Sequence, residues 1–229
     1  FVPQDINTVV IKISIERNIQ ASSRPFLHST FKFCTEWLRL STMTFRFETP
    51  VLHTPRLQLR PVRAADVPRI QAEFSKWAII KNMTKGVPWP YPADGAKHWF
   101  EQVVLKAYAK KTESVWAITK RQDTSRLIGV VSIREDTGDG HRGFWLAESE
   151  WGQGYMTEAV TALNDWVFTN TPLTEIVVYN VASNEGSRRV KQKSGADYVR
   201  TVIQDYHCGE CESEVWRVDK EAWLSRNES

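Results

Sequence analysis

The order of strand and helix signals from about residue 55 onward constrains the fold of this chain more strongly than any single motif. Three strand-like segments, residues 115–120, 127–133 and 143–146, follow one another across short polar turns and predict an antiparallel meander. The signals then change and predict a helix, a strand, a helix and two strands, at residues 154–169, 176–181, 183–194, 196–203 and 214–218. This order predicts an α/β (α+β mixed) domain, with a central mixed, mostly antiparallel sheet and helices on both faces.

The remaining elements come before the meander and at the end of the chain. They are a strand at residues 57–62, helices at residues 64–77, 95–110 and 220–226, and a loop at residues 86–92. Three prolines in that loop forbid a helix there. Asp94 stands where an N-cap is expected, directly before the second of these helices.

Composition and charge narrow the class of protein. The 229 residues carry a formal net charge of +3, which is too small to indicate nucleic acid or an anionic membrane as a partner. No apolar run approaches the ~20 residues that cross a bilayer, and no secretory signal is evident. We therefore expect a cytoplasmic monomer or homodimer. Because the first methionine is Met43, residues 1–43 are interpreted as an N-terminal extension of upstream or non-native origin, and residues 44–229 as one domain.

The most informative segment is Trp151–Ala159, where two glycines lie between a strand and the start of a helix. Gly152 and Gly154 lack a Cβ, so the backbone can approach a ligand closely and adopt a positive φ. The N–H groups from Gly152 to Thr157 would then face outward at the positive end of the helix dipole, where a diphosphate binds favourably. A turn that merely uses glycines also explains these residues.

Two other nucleotide-binding interpretations fit this segment less well. A P-loop would require a Gly-Lys-Ser/Thr sequence, which does not follow. A dinucleotide-binding turn has a third glycine where Thr157 stands, and it normally belongs to the first βαβ unit of its domain. A dinucleotide-binding oxidoreductase stays open as the alternative enzyme class.

A second polar segment, residues 184–196, opens and closes the next helix. Ser183 or Asn184 is the expected N-cap, and Gly195 is the expected C-terminal glycine. Four basic residues are interpreted as a solvated face: Arg188, Arg189, Lys191 and Lys193. The cap residues are also candidates for ligand binding, because a helix N-terminus beside a cleft can do both.

Taken together, the two segments resemble the GCN5-related N-acetyltransferase (GNAT) superfamily, and within it the branch of ribosomal-protein N-terminal acetyltransferases. The resemblance covers about residues 54–224 and includes three further segments: residues 54–60, 88–92 and 143–146. Their order and spacing make it specific. Trp151 and Met156 depart from the first and last positions of the family's glycine motif, and Met156 crowds a place where a small residue eases phosphate approach. Ala196 replaces an aromatic residue that often follows the glycine.

The resemblance implies a GNAT fold with a splayed pair of central strands. It also implies direct transfer of an acetyl group from acetyl-CoA to a primary amine, such as a protein N-terminal α-amino group, without a covalent enzyme intermediate and without a metal. The cofactor-binding residues implied are Leu146, Ala147, Trp151, Gly152, Gln153, Gly154, Tyr155, Met156, Thr157, Asn184 and Ser187. An N–H group near Leu146 or Ala147 would stabilise the oxyanion. Ser187 matches the serine proposed to protonate the leaving thiolate.

The general base and the acceptor site are less determined. Glu148 is our prediction for the base because it directly follows the active strand, and Glu150 and Tyr179 are its rivals. Trp89 and Tyr91 are predicted to wall the acceptor pocket, with a loop at residues 206–214 beside them, although aromatic core packing explains both rings as well.

Two further questions bear on function. Residues 207–211 hold a histidine and two cysteines, but a structural zinc needs four ligands, so a hairpin tip without disulfide or metal chemistry is expected. A non-catalytic acyl-CoA sensor also stays open beside the two enzyme classes. The sequence does not identify the acceptor amine.

Overall fold

The computed structural model describes residues 47–135, 140–207 and 209–227. The predicted extension, residues 1–43, lies outside these ranges, and its interpretation stays a prediction. The described residues belong to one unit, Phe45–Ser229.

The predicted meander forms one antiparallel sheet in sequence order. Its strands are β1 (Leu52–His53), β2 (Leu57–Pro61), β3 (Glu113–Lys120), β4 (Asp123–Arg134) and β5 (Arg142–Leu146). The turn between β3 and β4 comes two residues earlier than predicted. Lys120 pairs with Asp123 across it, and a register shift at Thr119 accommodates this tighter connection.

The later strands form a second antiparallel sheet in the order β6, β8, β7. They are β6 (Glu175–Val181), β7 (Asp197–Tyr206) and β8 (Gly209–Asp219). The loop predicted at residues 206–214 is wrong: the strands continue until Tyr206 pairs with Gly209. Strands were predicted at residues 196–203 and 214–218, but their continuation to the hairpin tip was missed because residues 204–206 and 209–213 are mostly polar and show no apolar alternation.

The helices agree with prediction in place but differ in continuity. They are α1 (Val67–Phe74), α2 (Trp77–Ile80), α3 (the consecutive segments Gly95–Trp99, Phe100–Val104 and Leu105–Lys110), α4 (Tyr155–Asn170), α5 (Glu185–Lys193) and α6 (Lys220–Asn227). The single helix predicted at residues 64–77 is divided because Lys76 takes extended dihedral angles. Phe100–Val104 is a π-helical stretch inside α3. None of the helices in the described ranges is long and apolar enough to span a membrane.

The caps of α3 and α5 have different origins. Asp94 makes no side-chain cap to α3, so that prediction is wrong. Gln71 of α1 replaces it: its Oε1 accepts the Ala96 N–H at 2.9 Å, and its Nε2 donates to the Pro92 carbonyl at 2.9 Å. At α5 the predicted cap is confirmed, since Asn184 Oδ1 accepts the Ser187 N–H at 3.0 Å.

Helices cover both faces of the first sheet, as predicted. Trp116 and Ile118 of β3 point into the cluster that holds the apolar residues of α4. Val115 and Ala117 point the other way, into the cluster formed with α1, α2 and α3. This two-residue alternation follows from the geometry of a strand, and it gives β3 apolar residues on both faces.

The two sheets meet near the starts of β5 and β6. The His141 N–H donates to the Val177 carbonyl at 2.8 Å, and His141 Nδ1 accepts the Val177 N–H at 2.9 Å. Beyond this junction, within the described chain, β5 and β6 are not paired in one sheet. The strands therefore separate toward Leu146 and Val181, which is the splayed pair expected for a GNAT fold.

Candidate active site

The glycine turn lies between the end of β5 and the start of α4. A 3-10 turn, Glu148–Glu150, leads into it, and Gly152 and Gly154 take positive φ angles of 75° and 79°. A Cβ built on Gly152 would meet no atom of the described residues within 4 Å. The glycines are therefore needed for the backbone conformation, and one side of the turn is open.

The backbone N–H groups of this turn have no partner in the part of the chain that the structure describes. Among the described residues, no hydrogen bond occupies the N–H groups from Gly152 to Thr157, and the first N–H with a helical partner is that of Glu158, which donates to Gly154. Unpaired N–H groups at a helix N-terminus carry partial positive charge and bind anions. Since α4 has 16 residues, its dipole is fully developed.

The side chain of Met156 does not crowd this row of N–H groups. It is 6% exposed and packs into the core below α4 with Ala159 and Val160. Trp151 lies on the other side of the turn, where its Nε1 donates to the Leu146 carbonyl at 2.8 Å. The side chain of Met156 is therefore directed into the core rather than toward the turn, and Trp151 ties the turn to the end of β5.

Arg56 and Glu158 form a hydrogen-bonded pair that contacts the glycine turn. Neither residue was predicted from the sequence. Glu158 accepts hydrogen bonds from Thr54 Oγ1 at 2.6 Å, from the Arg56 N–H at 2.8 Å and from Arg56 Nε at 2.6 Å. Arg56 also donates to the Gln153 carbonyl at 3.0 Å. Burial by itself would raise the pKa of Glu158, but the hydrogen bonds from Thr54 and Arg56 outweigh it and lower that pKa.

A second cation lies close to the turn. Lys120 Nζ is 2.7 Å from Glu150 Oε2, and this contact raises the pKa of Lys120. Both Lys120 and Arg56 approach the ring of Tyr155, at 5.1 Å and 4.7 Å from its centre. Because Glu158 and Glu150 pair with these two cations, the positive potential at the turn comes chiefly from its backbone N–H groups.

The two candidate oxyanion donors at the end of β5, the N–H groups of Leu146 and Ala147, point in opposite directions. The Ala147 N–H donates to the Ile128 carbonyl at 2.8 Å, so it is occupied. Gly129 and Leu146 form the neighbouring pair of this antiparallel ladder. Because alternate residues of such a ladder direct their N–H groups to opposite sides, the Leu146 N–H points away from β4 and into the gap beside β6.

Ser187 lies in the first turn of α5 and is 9% exposed. Its N–H is held by Asn184, and its Oγ accepts a hydrogen bond from Lys191 Nζ at 2.7 Å. Asn184 and Ser187 are thus adjacent, as their spacing predicts. The polar partner of Ser187 comes from one turn further along the helix, where sequence reasoning did not look for it.

Lys191 contradicts the interpretation of four solvated basic residues. Its side chain is 1% exposed, and Nζ lies 5.6 Å from the centre of the Phe144 ring. Arg142 is also buried, and burial lowers its pKa to about 10. Arg142 Nη1 donates to Asn164 Oδ1 at 2.9 Å, whereas its Nε and Nη2 have no partner in the described chain. The polar sequence of α5 led to a wrong prediction here, because the buried face of this helix carries Lys191.

The three candidate bases differ in their surroundings. Glu148 is exposed and makes no ion pair in the described chain, whereas Glu150 is buried against Lys120. Tyr179 lies on β6 with its ring close to Gly140. Glu148 is the carboxylate that water reaches.

Trp89 and Tyr91 have different environments. Tyr91 is half-buried, its ring packs edge-on against Phe74 at 5.3 Å, and burial raises its pKa to about 12. Trp89 is 44% exposed and packs against Trp77, with ring centres 4.8 Å apart.

The hairpin of β7 and β8 completes this surface. His207 at its tip lies 6.0 Å from the Trp77 ring, and its Nε2 is 2.7 Å from the Val87 carbonyl oxygen. Trp77, Trp89 and His207 together are called the aromatic cluster below. Trp77 and His207 were not predicted as part of this site, because only the tertiary fold brings them together with Trp89.

The cysteine segment gives one correction. Cys211 is disulfide-bonded, so the expectation of no disulfide chemistry is wrong. The hairpin itself is confirmed, with Cys211 paired to Gln204 across the two strands. Sequence spacing could not reveal this bond because it depends on which sulfur the fold brings near. No group of three or more His, Cys, Asp or Glu side chains suited to a metal occurs in the described ranges.

In this chain, two sheets separate beside the N-terminus of α4, and an open glycine turn lies at that point. These features define the class of acyl-carrier-binding α/β folds to which the GNAT enzymes belong. Residues 56–197 match the family described as the acetyltransferase (GNAT) domain. The chain belongs to this family. The predicted fold and the predicted acetyl-CoA-dependent acyltransferase class are confirmed, and the oxidoreductase alternative receives no support.

Known proteins similar to this chain are consistent with that family. Uncharacterized N-acetyltransferase YoaA of Bacillus subtilis (strain 168) is 27% identical over 150 residues, which cover 64% of this chain and 82% of that protein. RimL, a ribosomal L7/L12 alpha-N-protein acetyltransferase solved with coenzyme A, gives a TM-score of 0.63 at 16% identity, covering 76% of this chain and 99% of the other. Spermidine N-acetyltransferase from Vibrio cholerae, solved with CoA and spermine, gives a TM-score of 0.62 at 16% identity. The match covers 75% of this chain and 99% of that one.

Proposed function

We propose that this acetyltransferase binds the diphosphate of acetyl-CoA at the glycine turn and transfers the acetyl group directly to a primary amine held near the aromatic cluster. The observation that carries the proposal is the row of N–H groups from Gly152 to Thr157, which have no partner among the described residues and lie at the N-terminus of α4. Arg56 and Lys120 lie over the Tyr155 ring at the start of α4, each paired with a carboxylate. The separated ends of β5 and β6 leave a passage for the pantetheine arm.

The reacting atoms are assigned to the end of that passage. The Leu146 N–H, directed away from β4, stabilises the oxyanion that forms when the amine attacks the thioester carbonyl. The interaction strengthens as charge develops, so it lowers the barrier rather than only aiding binding. The carbon–sulfur bond then breaks, and Ser187 donates a proton to the departing thiolate.

Glu148 accepts the proton that the amine loses, through water. Its carboxylate is exposed and has no ion-pair partner in the described chain, whereas Lys120 holds Glu150. An α-amino group has an ordinary pKa of ~8, so a carboxylate reached through water suffices to remove its proton near neutral pH.

The acceptor is proposed to be a cationic amine that loses its charge only at the site. Trp77 and Trp89 are each 44% exposed, as a ring that binds a cation must be, and the neighbouring hairpin carries exposed Glu210 and Glu212 besides Asp205, which pairs with Lys85. A protein N-terminal α-amino group is the first acceptor to test, because RimL is named as a protein α-N-acetyltransferase. Polyamines come second, because a spermidine acetyltransferase shares the fold. A cytoplasmic location and a monomeric or dimeric state also stay proposals.

Coenzyme A release across a panel of amines tests the function. The panel holds peptides with free and blocked N-termini, spermidine, single amino acids and aminoglycosides. We expect release with a free N-terminus and none with the blocked peptide of the same sequence. Binding of coenzyme A without release for any amine would instead indicate a non-catalytic acyl-CoA sensor.

A further inference from the structure

A buried lysine lies directly behind the proposed proton donor. Lys191 follows Ser187 by one helical turn, is 1% exposed, and donates from Nζ to Ser187 Oγ at 2.7 Å. A methionine or leucine would fill the same space without the cost of desolvating an ammonium group. The lysine thus contributes a polar contact that packing does not require.

The surroundings of Lys191 disfavour its charged form. Burial lowers its pKa well below the usual range, the Arg142 cation on β5 lowers it further, and Glu214 on β8 acts in the opposite direction. Glu214 is itself held by Arg188, at 2.6 Å, and by Asn180, at 3.0 Å. No carboxylate in the described chain forms an ion pair with Nζ, and the neutral ring of Phe144 on β5 lies 5.6 Å from it.

We propose that Lys191 resupplies the proton that Ser187 gives to the leaving thiolate of coenzyme A, and that it positions the serine hydroxyl for this transfer. This role rests on the proposed function, in which Ser187 faces the thioester sulfur. Since Lys191 acts through the serine, it is a positioning and relay residue rather than one that touches the substrate.

The relay balances protons and electrons. When the carbon–sulfur bond breaks, its electron pair goes to sulfur, the Ser187 hydroxyl proton goes to sulfur, and an Nζ proton goes to Ser187 Oγ. Lys191 is then a neutral amine. It regains a proton from water through the same serine after coenzyme A leaves.

The acidity of the two groups suits this sequence. An ordinary lysine, with a pKa of ~10.4, is a poor donor to a thiolate whose conjugate thiol has a pKa of ~8.5. Lowering the pKa of Lys191 makes its ammonium group a stronger acid than an ordinary lysine, so the transfer is less uphill. Without it, a serine that protonates sulfur would be left as an alkoxide in a buried site.

The test uses Lys191→Met, which keeps an unbranched side chain one atom shorter and removes the amine, with Lys193→Met as a control because Lys193 lies exposed on the same helix. We expect Lys191→Met to fold with unchanged or higher Tm, to lose about tenfold or more in kcat, and to keep its KM for acetyl-CoA. Lys193→Met keeps the wild-type values. In a Ser187→Ala background, Lys191→Met adds no further loss, because the relay then has no acceptor.

The pH profile separates a relay from packing. In the wild type, kcat falls at high pH as Lys191 loses its proton, below the ~10.4 of an ordinary lysine. In Lys191→Met this descending limb disappears, and the rising limb from the amine stays. Equal kcat and an unchanged high-pH limb in the variant would overturn the relay.

A second readout needs no acceptor amine. The thiol pKa of bound coenzyme A, measured by thiolate absorbance in the ultraviolet, should be about one unit higher in Lys191→Met than in the wild type, because a nearby cation stabilises the thiolate. Equal thiol pKa values would refute the relay alone. Failure of the wild type to bind coenzyme A would refute the proposed function, and the relay with it.

Discussion

Gly152→Ala tests the anion-binding turn, and Gly209→Ala is its matched control. Both glycines have positive φ, at 75° and 96°, and a Cβ on either meets no atom of the described chain within 4 Å. The backbone strain is therefore similar, about 1–2 kcal/mol for an alanine in this region. For a domain of this size, each variant should lose roughly 2–8 °C in Tm.

Only Gly152→Ala should weaken coenzyme A binding. The new Cβ enters the space that a diphosphate oxygen needs to reach the N–H groups at about 2.9 Å. Loss of one charge-assisted hydrogen bond, about 1.5–3 kcal/mol, raises Kd by roughly 10- to 100-fold. Isothermal titration with coenzyme A measures this directly. If Gly152→Ala binds as tightly as Gly209→Ala, the diphosphate does not lie against this turn, and the assignment of the N–H row is refuted.

Three further perturbations follow from the geometry. Asp66→Asn should lower the free energy of unfolding in urea by about 3–5 kcal/mol. In the wild type, the two Asp66 carboxylate oxygens accept hydrogen bonds from buried Arg60 at 2.7 Å and 2.8 Å, and the variant leaves Arg60 without its counter-charge. A loss below ~1 kcal/mol would contradict this. The pKa of Glu158 is lower in the folded state than in the unfolded state, where it is ~4.3. Glu158 therefore stabilises the fold above pH ~4.3, and this stabilisation is lost as the pH falls through the folded-state pKa. The Tm difference from Glu158→Gln should therefore shrink in acid, and a pH-independent difference would count against it. Trp89→Ala should raise the acceptor KM about five- to tenfold and leave the acetyl-CoA KM unchanged; equal change in both would exclude an acceptor role.

The local elements of the site were predictable because each depends on neighbours in the chain. Gly152 and Gly154 sit where a positive φ is needed, and the Asn184 cap forms within a single turn of α5. Two-residue and 3.6-residue periodicities located the meander and α4 for the same reason. The cap of α3 was not predictable in this way, since Gln71 reaches it from another helix.

The partners of the site residues were decided only by the tertiary structure. Basic residues on a polar helix are normally solvated, and nothing local distinguishes Lys191, which is buried, from Lys193, which is exposed. Arg56 reaches the glycine turn from a segment about 100 positions away, and His207 joins Trp77 only when the β7–β8 hairpin folds over α2. The sequence by itself determined the backbone conformations, because these depend on adjacent residues. Burial and charge pairing are set by distances between remote segments, which only the folded chain fixes.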